Sequence, residues 1–208
     1  VDRIPAVILA GGLASRMGGR DKGLLEINGA TILERAFAIL RPQVGEVIIN
    51  ANGDLSRFDR FAVSVIPDSL EGHLGPLSGI LAGMDWAASI GSKHIVSVAA
   101  DTPFFPTDLV HKLTTAVKLE NADIGLAQTF DKVSGHKIRH PTFGLWPVSL
   151  RNELRVSLSS GLRKVVLWTD QYSVANVLFD EGSVVDPFFN VNTPNDLNKA
   201  NMIAMGLD

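Results

Sequence analysis

Ala6-Val7-Ile8-Leu9-Ala10-Gly11-Gly12-Leu13-Ala14-Ser15-Arg16-Met17-Gly18-Gly19-Arg20-Asp21-Lys22-Gly23 decides how this chain is read. A short apolar run stops at a glycine-rich loop that carries three fixed cations. Glycines let backbone N–H groups approach an anion closely, and Arg and Lys supply charge. The spacing is neither G-x-x-x-x-G-K-[ST] nor G-x-G-x-x-G, so neither standard phosphate loop is present. Lys22 suits phosphoryl oxygens as a point charge and Arg16 as a planar fork. Arg20 alone reads as a solvated charge.

Working outward, strand-like and helix-like runs alternate. Strands are expected at Ala6–Ala10, Glu46–Asn50, Phe61–Ile66 and His94–Ala99. Helices are expected at Thr31–Leu40, Leu77–Ser89 and Asp108–Leu119. The order predicts an α/β fold: a mostly parallel, doubly wound Rossmann-like sheet with helices on both faces. The runs VILA, VIIN and IVSVA lack alternation, as strands covered on both sides do. Past Asn121 the rhythm changes. Strands at Asp123–Gln128 and Pro141–Trp146 should flank a polar loop, Thr129–His140. Helices near Ser149–Ser157 and Leu162–Thr169 and a strand at Tyr172–Phe179 follow. Thr193-Pro194-Asn195-Asp196 reads as an N-cap, Pro at N1 and an acidic first turn. One domain over residues 1–208 is expected, with a nucleotide-binding half (1–120) and an acceptor-side half (121–208).

Composition narrows the function. Hydrophobic residues make up 46% and charged residues 20%, the profile of an ordinary globule. Net charge is −3, which argues against nucleic acid as a partner. There are no cysteines, so thiolate metal sites and a cysteine nucleophile are excluded. No apolar run suits a membrane span, and the start lacks an export-signal pattern, so the cytoplasm is the expected compartment.

Open parallel sheets bind ligands at the carboxyl ends of their strands. Four polar features should fall there: the Gly11–Lys22 loop, Asn50, Asp68 and Asp101. Asp101 leaves a strand just before Thr102-Pro103, where it could ligate Mg²⁺ or simply form a turn. Asn50 and Asp68 suit a base or ribose, or merely end their strands. Gly75 and Gly79 flank Pro76 at a helix start, where a flat ring could approach. Asn190 and Asn192 place two amides on one face of a strand end just before a capped helix, for a metal or phosphate contact or for capping alone. His136, Lys137, Arg139 and His140 form a basic loop that could meet a second anion. Trp86, Trp146 and Trp168 read as core.

The residues carry a family likeness. L-A-G-G-x-x-x-R-M-G-G-x-D-K-G-L, from Leu9 to Leu24, closely resembles the molybdenum cofactor guanylyltransferases. The likeness continues through V-I-I-N-A-N, G-P-L-S-G, A-D-T-P-F, R-H-P-T and N-V-N-T-P-N-D-L, in order, over nearly the whole chain. The resemblance implies the nucleotide-diphospho-sugar transferase type of fold. It also implies transfer of GMP from GTP to the terminal phosphate of Mo-molybdopterin, with release of pyrophosphate. On that likeness Leu9, Ala10 and Gly11 line the guanine nucleotide and Lys22 holds its phosphates, which agrees with the loop chemistry that puts Gly12 and Arg16 on the phosphate chain. Asn50 and Asp68 meet the base or ribose, and Asp101 holds Mg²⁺. The cleft side bearing Arg139, His140 and the Asn190–Thr193 turn, with Asn190 and Asn192, faces the pterin. The related cytidylyl enzymes carry Leu-Ala-Ala-Gly, so Gly11 favours GTP over CTP. Ala100 stands where relatives frequently have cysteine. The competing readings are cytidylyl transfer to the same pterin, nucleotidyl transfer to a sugar phosphate, and a non-catalytic nucleotide or pterin carrier. Handover to molybdoenzyme apoproteins or their chaperones is compatible with synthesis.

Overall fold

A computed structural model describes residues 3–11, 21–72, 74–131, 135–179 and 186–207. β1 (Ala6–Leu9) forms where the apolar run predicts it, with Ala6, Val7 and Ile8 wholly buried. A 3-10 turn, Lys22–Leu24, then leads into a small hairpin of β2 (Glu26–Ile27) and β3 (Ala30–Thr31) that the sequence reading missed. Its turn residues, Asn28 and Gly29, both have positive φ (49° and 80°), as a type I′ hairpin requires. That Asn-Gly pair is the signal that marks it.

α1 (Ile32–Leu40) starts at a capping box. The Thr31 hydroxyl accepts from the Glu34 N–H, and the Glu34 carboxylate accepts from the Thr31 N–H at 2.7 Å. The chain continues through β4 (Val47–Asn50), β5 (Val65–Ile66), α2 (Pro76–Ser89), β6 (His94–Ala99) and α3 (Leu109–Glu120). It closes with β7 (Ile124–Phe130), β8 (Lys137–Pro147), α4 (Arg151–Ser159), α5 (Val165–Thr169), β9 (Val174–Leu178) and α6 (Pro194–Ala204).

Among the described residues the main sheet has seven strands in the order β5-β4-β1-β6-β8-β7-β9. β5, β4, β1 and β6 run parallel, as do β7 and β9. β8 alone runs antiparallel to both its neighbours, β6 and β7. The sheet is therefore mostly parallel and Rossmann-like, with one reversed strand. Side chains alternate across β1. Ile8 packs with Leu33, Leu109, Leu113 and Phe143 on the α1/α3 face. Val7 packs with Ile80, Met84, Trp146 and Trp168 on the α2/α4/α5 face. Burying one such Val or Ile contributes roughly 1.5–3 kcal/mol, so a strand buried on both faces anchors the sheet. Trp146 and Trp168 are core as expected, and Trp86 is partly buried.

Two expectations need correction. Phe61–Ile66 is not one strand. Leu55–Phe61 is a 3-10 helix, started by the Asp54 side chain accepting from Ser56 N–H and ended at Ala62 with φ 51°. Buried Phe58 anchors it, leaving Val65–Ile66 for the sheet. Thr129–His140 is not a loop either. β7 runs to Phe130 and β8 begins at Lys137, because Thr129, Gln128 and His140 pair across the ladder. α6 follows the prediction: Thr193 caps it, Pro194 is its first residue, and Asp196 completes a capping box. No described helix is long and apolar enough to cross a membrane.

Candidate active site

β1, β4, β5 and β6 point their carboxyl ends at one cleft of about 430 Å³. Ala10 N–H still donates to Asn50 O at 2.9 Å, and Ala100 N–H to Leu9 O at 3.1 Å. The strands therefore stay zipped to their ends, and the chains part only beyond them. The lining brings together Leu9, Ala10, Gly11, Lys22, Asn50, Asp68, Gly75, Asp101 and Asn190. Asp21, Asn52, Thr142 and Pro76 join them.

One side of the cleft is built on amides. Asn50 is 2% exposed and donates through Nδ2 to Asp68 Oδ1 at 3.0 Å. Asn52 Nδ2 donates to Asp68 Oδ2 at 3.0 Å, and Asp68 N–H returns a bond to Asn52 Oδ1 at 3.0 Å. Each Asp68 oxygen is thus held by one amide, which fixes the carboxylate plane and leaves further acceptor capacity on both oxygens. α2 presses on this unit from below. A Cβ on Gly79 would lie 2.3 Å from Asn50 Oδ1 and 2.9 Å from Leu9 Cδ2, so only glycine lets the helix pass. Gly75, with φ 79°, is the N-cap of that helix.

The opposite side carries charge. Lys22 Nζ donates to Asn192 Oδ1 at 2.8 Å. Asp21 caps the Lys22 turn through Gly23 N–H and pairs with Arg57 Nε at 2.9 Å. Asp101 sits past β6, with its backbone O accepting from Val191 N–H at 2.9 Å. The Thr102 hydroxyl donates to Asn190 Oδ1 at 2.5 Å and lies 3.4 Å from Asp101 Oδ1. Burial raises the Asp101 carboxyl above its ordinary value, and the Lys22 ammonium opposes that rise. Of the three carboxylates in the described lining, Asp21 is committed to Arg57 and Asp68 to two amides. Asp101 has the 3.4 Å contact to the Thr102 hydroxyl and a bond from its own N–H, and no ion pair among the described residues.

The remaining expected site residues divide. Asn192 lies behind Lys22 rather than in the lining, and the segment around Asn190 and Asn192 is not a strand end but irregular chain leading into α6. Arg139 is not in the cleft. Its guanidinium pairs with Asp170 at 2.6 Å and lines a neighbouring cavity of about 350 Å³. That cavity shares Thr142 and Asn190 with the cleft. His140 stacks on Phe188 with ring centroids 4.4 Å apart and bonds Thr129 Oγ1 through Nε2 at 2.8 Å. Burial lowers its pKa, with Asp186 opposing. Gly12, Arg16, Gly18, Gly19 and Arg20 lie outside the described residues. Asn52, Thr102, Asp21 and Arg57 were missed from the sequence. The Asn-x-Asn spacing of Asn50 and Asn52 after a strand was the one available hint.

A Rossmann-like sheet with amides, carboxylates and a lysine gathered over one cleft defines the fold class, the nucleotide-diphospho-sugar transferase type. The same fold is found in molybdopterin-guanine dinucleotide biosynthesis protein A from Archaeoglobus fulgidus, with TM-score 0.75 and 22% identity over 98% of this chain and 100% of that one. It recurs in 4-diphosphocytidyl-2C-methyl-D-erythritol synthase from Anaerococcus prevotii, with TM-score 0.74 and 15% identity over 98% and 96% of the two chains. Residues 6–173 match the model of the MobA-like NTP transferase domain. The chain is 47% identical to a molybdenum cofactor guanylyltransferase of Bradyrhizobium sp. (strain ORS 278), covering 97% of this chain and 93% of that protein. It is 40% identical to one of Cupriavidus necator, over 94% and 95%. The chain belongs to the MobA-like NTP transferase family, among relatives that carry the name molybdenum cofactor guanylyltransferase.

Proposed function

We propose that this chain transfers GMP from GTP to the terminal phosphate of Mo-molybdopterin and releases pyrophosphate. The observation that carries this reading is the meeting of Lys22, Asp101 and the Asn50–Asp68 pair in one cleft, from loops distant in sequence. The shared name of the relatives supplies the substrates.

In this reading residues 1–120 form the nucleotide half and 121–208 the acceptor half. Leu9, Ala10, Gly11 and Gly12 wrap the nucleotide backbone, and Gly75 opens the cleft beside it. Asn50 and Asp68 meet the base or ribose. Lys22 holds phosphates, with Arg16 as a second cation. Arg139 and Asn190 belong to the acceptor side, because the Arg139 cavity adjoins the cleft through Thr142 and Asn190, and Asn192 joins that side through the Lys22 ammonium it accepts from.

The donor set suits Mg²⁺. Among the described residues no three His, Asp or Glu side chains converge as a protein cage. Mg²⁺ does not need one, since it keeps waters and takes one or two carboxylates plus substrate phosphates. Asp101, which lines the cleft and has no ion pair among the described residues, would hold it, and bound there it would neutralise charge on the phosphates.

The chain's own residues have little bond-making chemistry to perform. The attacking group is a phosphate monoester with a second pKa near ~6, so it is mostly dianionic at neutral pH and needs no general base. The obstacle is repulsion between two anions. Lys22 offsets it, and the two walls align the reacting groups. Incubation with Mg²⁺, GTP and molybdopterin, followed by mass analysis, should reveal the guanine dinucleotide. CTP and UTP in its place should yield little product. GTP binding without pyrophosphate release would instead favour a carrier. Product handover to molybdoenzyme apoproteins or their chaperones, in the cytoplasm, is the setting this reading anticipates.

A further inference from the structure

Asp21 lines the cleft immediately before Lys22, so its charge opposes the phosphates that Lys22 attracts. Among the described residues, the Arg57 guanidinium answers this charge. Arg57 Nε donates to Asp21 Oδ2 at 2.9 Å, with the two side chains 27% and 18% exposed. Arg57 Nη2 donates to Asn52 O at 3.0 Å, and Nη1 donates to Asp54 O. The plane lies over the buried Phe58 ring at 4.5 Å. Asp21 Oδ1 meanwhile accepts from Gly23 N–H at 3.3 Å and caps the turn that carries Lys22. Asn52 in turn holds Asp68.

Resting on the reading of this cleft as a nucleotide site, we infer that Arg57 is a positioning residue for the triphosphate. It cancels the charge of Asp21 and commits that carboxylate to itself, leaving the Lys22 ammonium on the neutral oxygen of Asn192. It also ties the Lys22 turn to the loop that holds Asp68, so both ends of the nucleotide are set by one side chain. Lysine cannot replace it fully, because only a planar fork reaches a carboxylate and two carbonyls at once. Without Arg57, Asp21 loses its ion-pair partner among the described residues and becomes an anion beside the phosphates and a competing partner for Lys22. The penalty must then grow with the number of phosphates on the ligand.

Calorimetric titration of GTP, GDP and GMP into wild type and Arg57→Ala tests this. GTP affinity should fall at least about tenfold (roughly 1.4 kcal/mol) and GMP affinity less than about threefold. Adding Asp21→Asn to Arg57→Ala should recover most of the GTP loss, because Asn keeps the capping oxygen and removes the charge. Arg57→Lys, which keeps the charge, should retain most GTP affinity. Equal losses for GTP and GMP, an unchanged GTP affinity, or no recovery with Asp21→Asn would overturn the inference. Should Arg57→Ala fail to fold, the same ligand series on Arg57→Gln against Arg57→Lys decides it. A wild type that binds GTP but makes no dinucleotide counts against the transfer reaction and leaves the inference about Arg57 standing. A wild type that binds no guanine nucleotide sinks both.

Discussion

Lys22 Nζ donates to Asn192 Oδ1 at 2.8 Å across 170 positions of sequence. The loop after β1 and the chain entering α6 therefore share one ammonium group. Asn192 is held in turn, because its N–H donates to the capping carboxylate of Asp196 at 3.0 Å. Asn192→Ala should leave the fold intact and let Lys22 wander from the cleft. A hydrogen bond to a charged group contributes roughly 1.5–3 kcal/mol, less for a half-exposed lysine. We expect kcat/KM for GTP to fall about tenfold, read by pyrophosphate release. An unchanged kcat/KM would remove Asn192 from the site.

Lys22→Ala and Asp101→Ala address the reaction itself. Neither side chain is part of the apolar core, so both variants should fold. Each should lose roughly 3 kcal/mol of transition-state stabilisation, about a hundredfold in kcat, comparable to losing an oxyanion-hole donor. Circular dichroism and steady-state turnover check the two halves of this expectation. Wild-type turnover in either variant would refute the assignment.

Asp101 also makes a prediction about stability. Burial holds its folded carboxyl above the ordinary value, so between the unfolded and folded pKa the native state binds more protons than the unfolded one. Any stabilisation from this group is then complete below the ordinary value, near ~3.9, and is lost as pH rises through the folded value. At neutral pH the ionised Asp101 costs stability. Asp101→Asn should therefore raise Tm at pH 7 while lowering kcat by up to about a hundredfold, and the gain should vanish below the ordinary carboxylate range. A lower Tm at pH 7 would show that Lys22 more than compensates the burial.

Two glycines approach Asn50, and they should respond differently to a methyl group. On Gly79 a Cβ would sit 2.3 Å from Asn50 Oδ1, which forces Asn50 or α2 to move. Gly79→Ala should destabilise by about 1–3 kcal/mol, as overpacking does, and raise the KM for GTP. On Gly11 a Cβ would meet Asn50 Oδ1 at 3.5 Å and Asn52 Nδ2 at 3.7 Å, ordinary contact distances. Gly11→Ala should leave Tm unchanged but occupy cleft space over the amides. We expect its KM for GTP to rise about tenfold and its preference for GTP over CTP to narrow. Urea melts with a GTP/CTP comparison separate the two effects.

Much of this architecture could be read directly from the residues. The apolar runs at β1, β4 and β6, the helix α2 after Pro76 and the capped α6 all follow from local patterning. Lys22, Asn50, Asp68 and Asp101 were legible because each stands where an apolar strand ends, or in the loop that follows one. The misreadings share a cause. The polar residues of Thr129–His140 look like a loop, yet cross-strand pairing with β7 makes most of them strand. Phe61 belongs to a 3-10 turn anchored from beneath by Phe58, a burial no local pattern reports. Arg139 carries the right chemistry for an anion but is claimed by Asp170.

Local chemistry alone thus determined the alternating strands and helices and the polar residues at strand ends. Those features depend on periodicity and turn preference, which act over a few residues. Tertiary structure alone decided that β8 runs backwards, that Arg57 answers Asp21, and that Asn192 receives Lys22. Such pairings join segments tens to hundreds of positions apart, and the free energy of packing, not the chain's local bias, selects them.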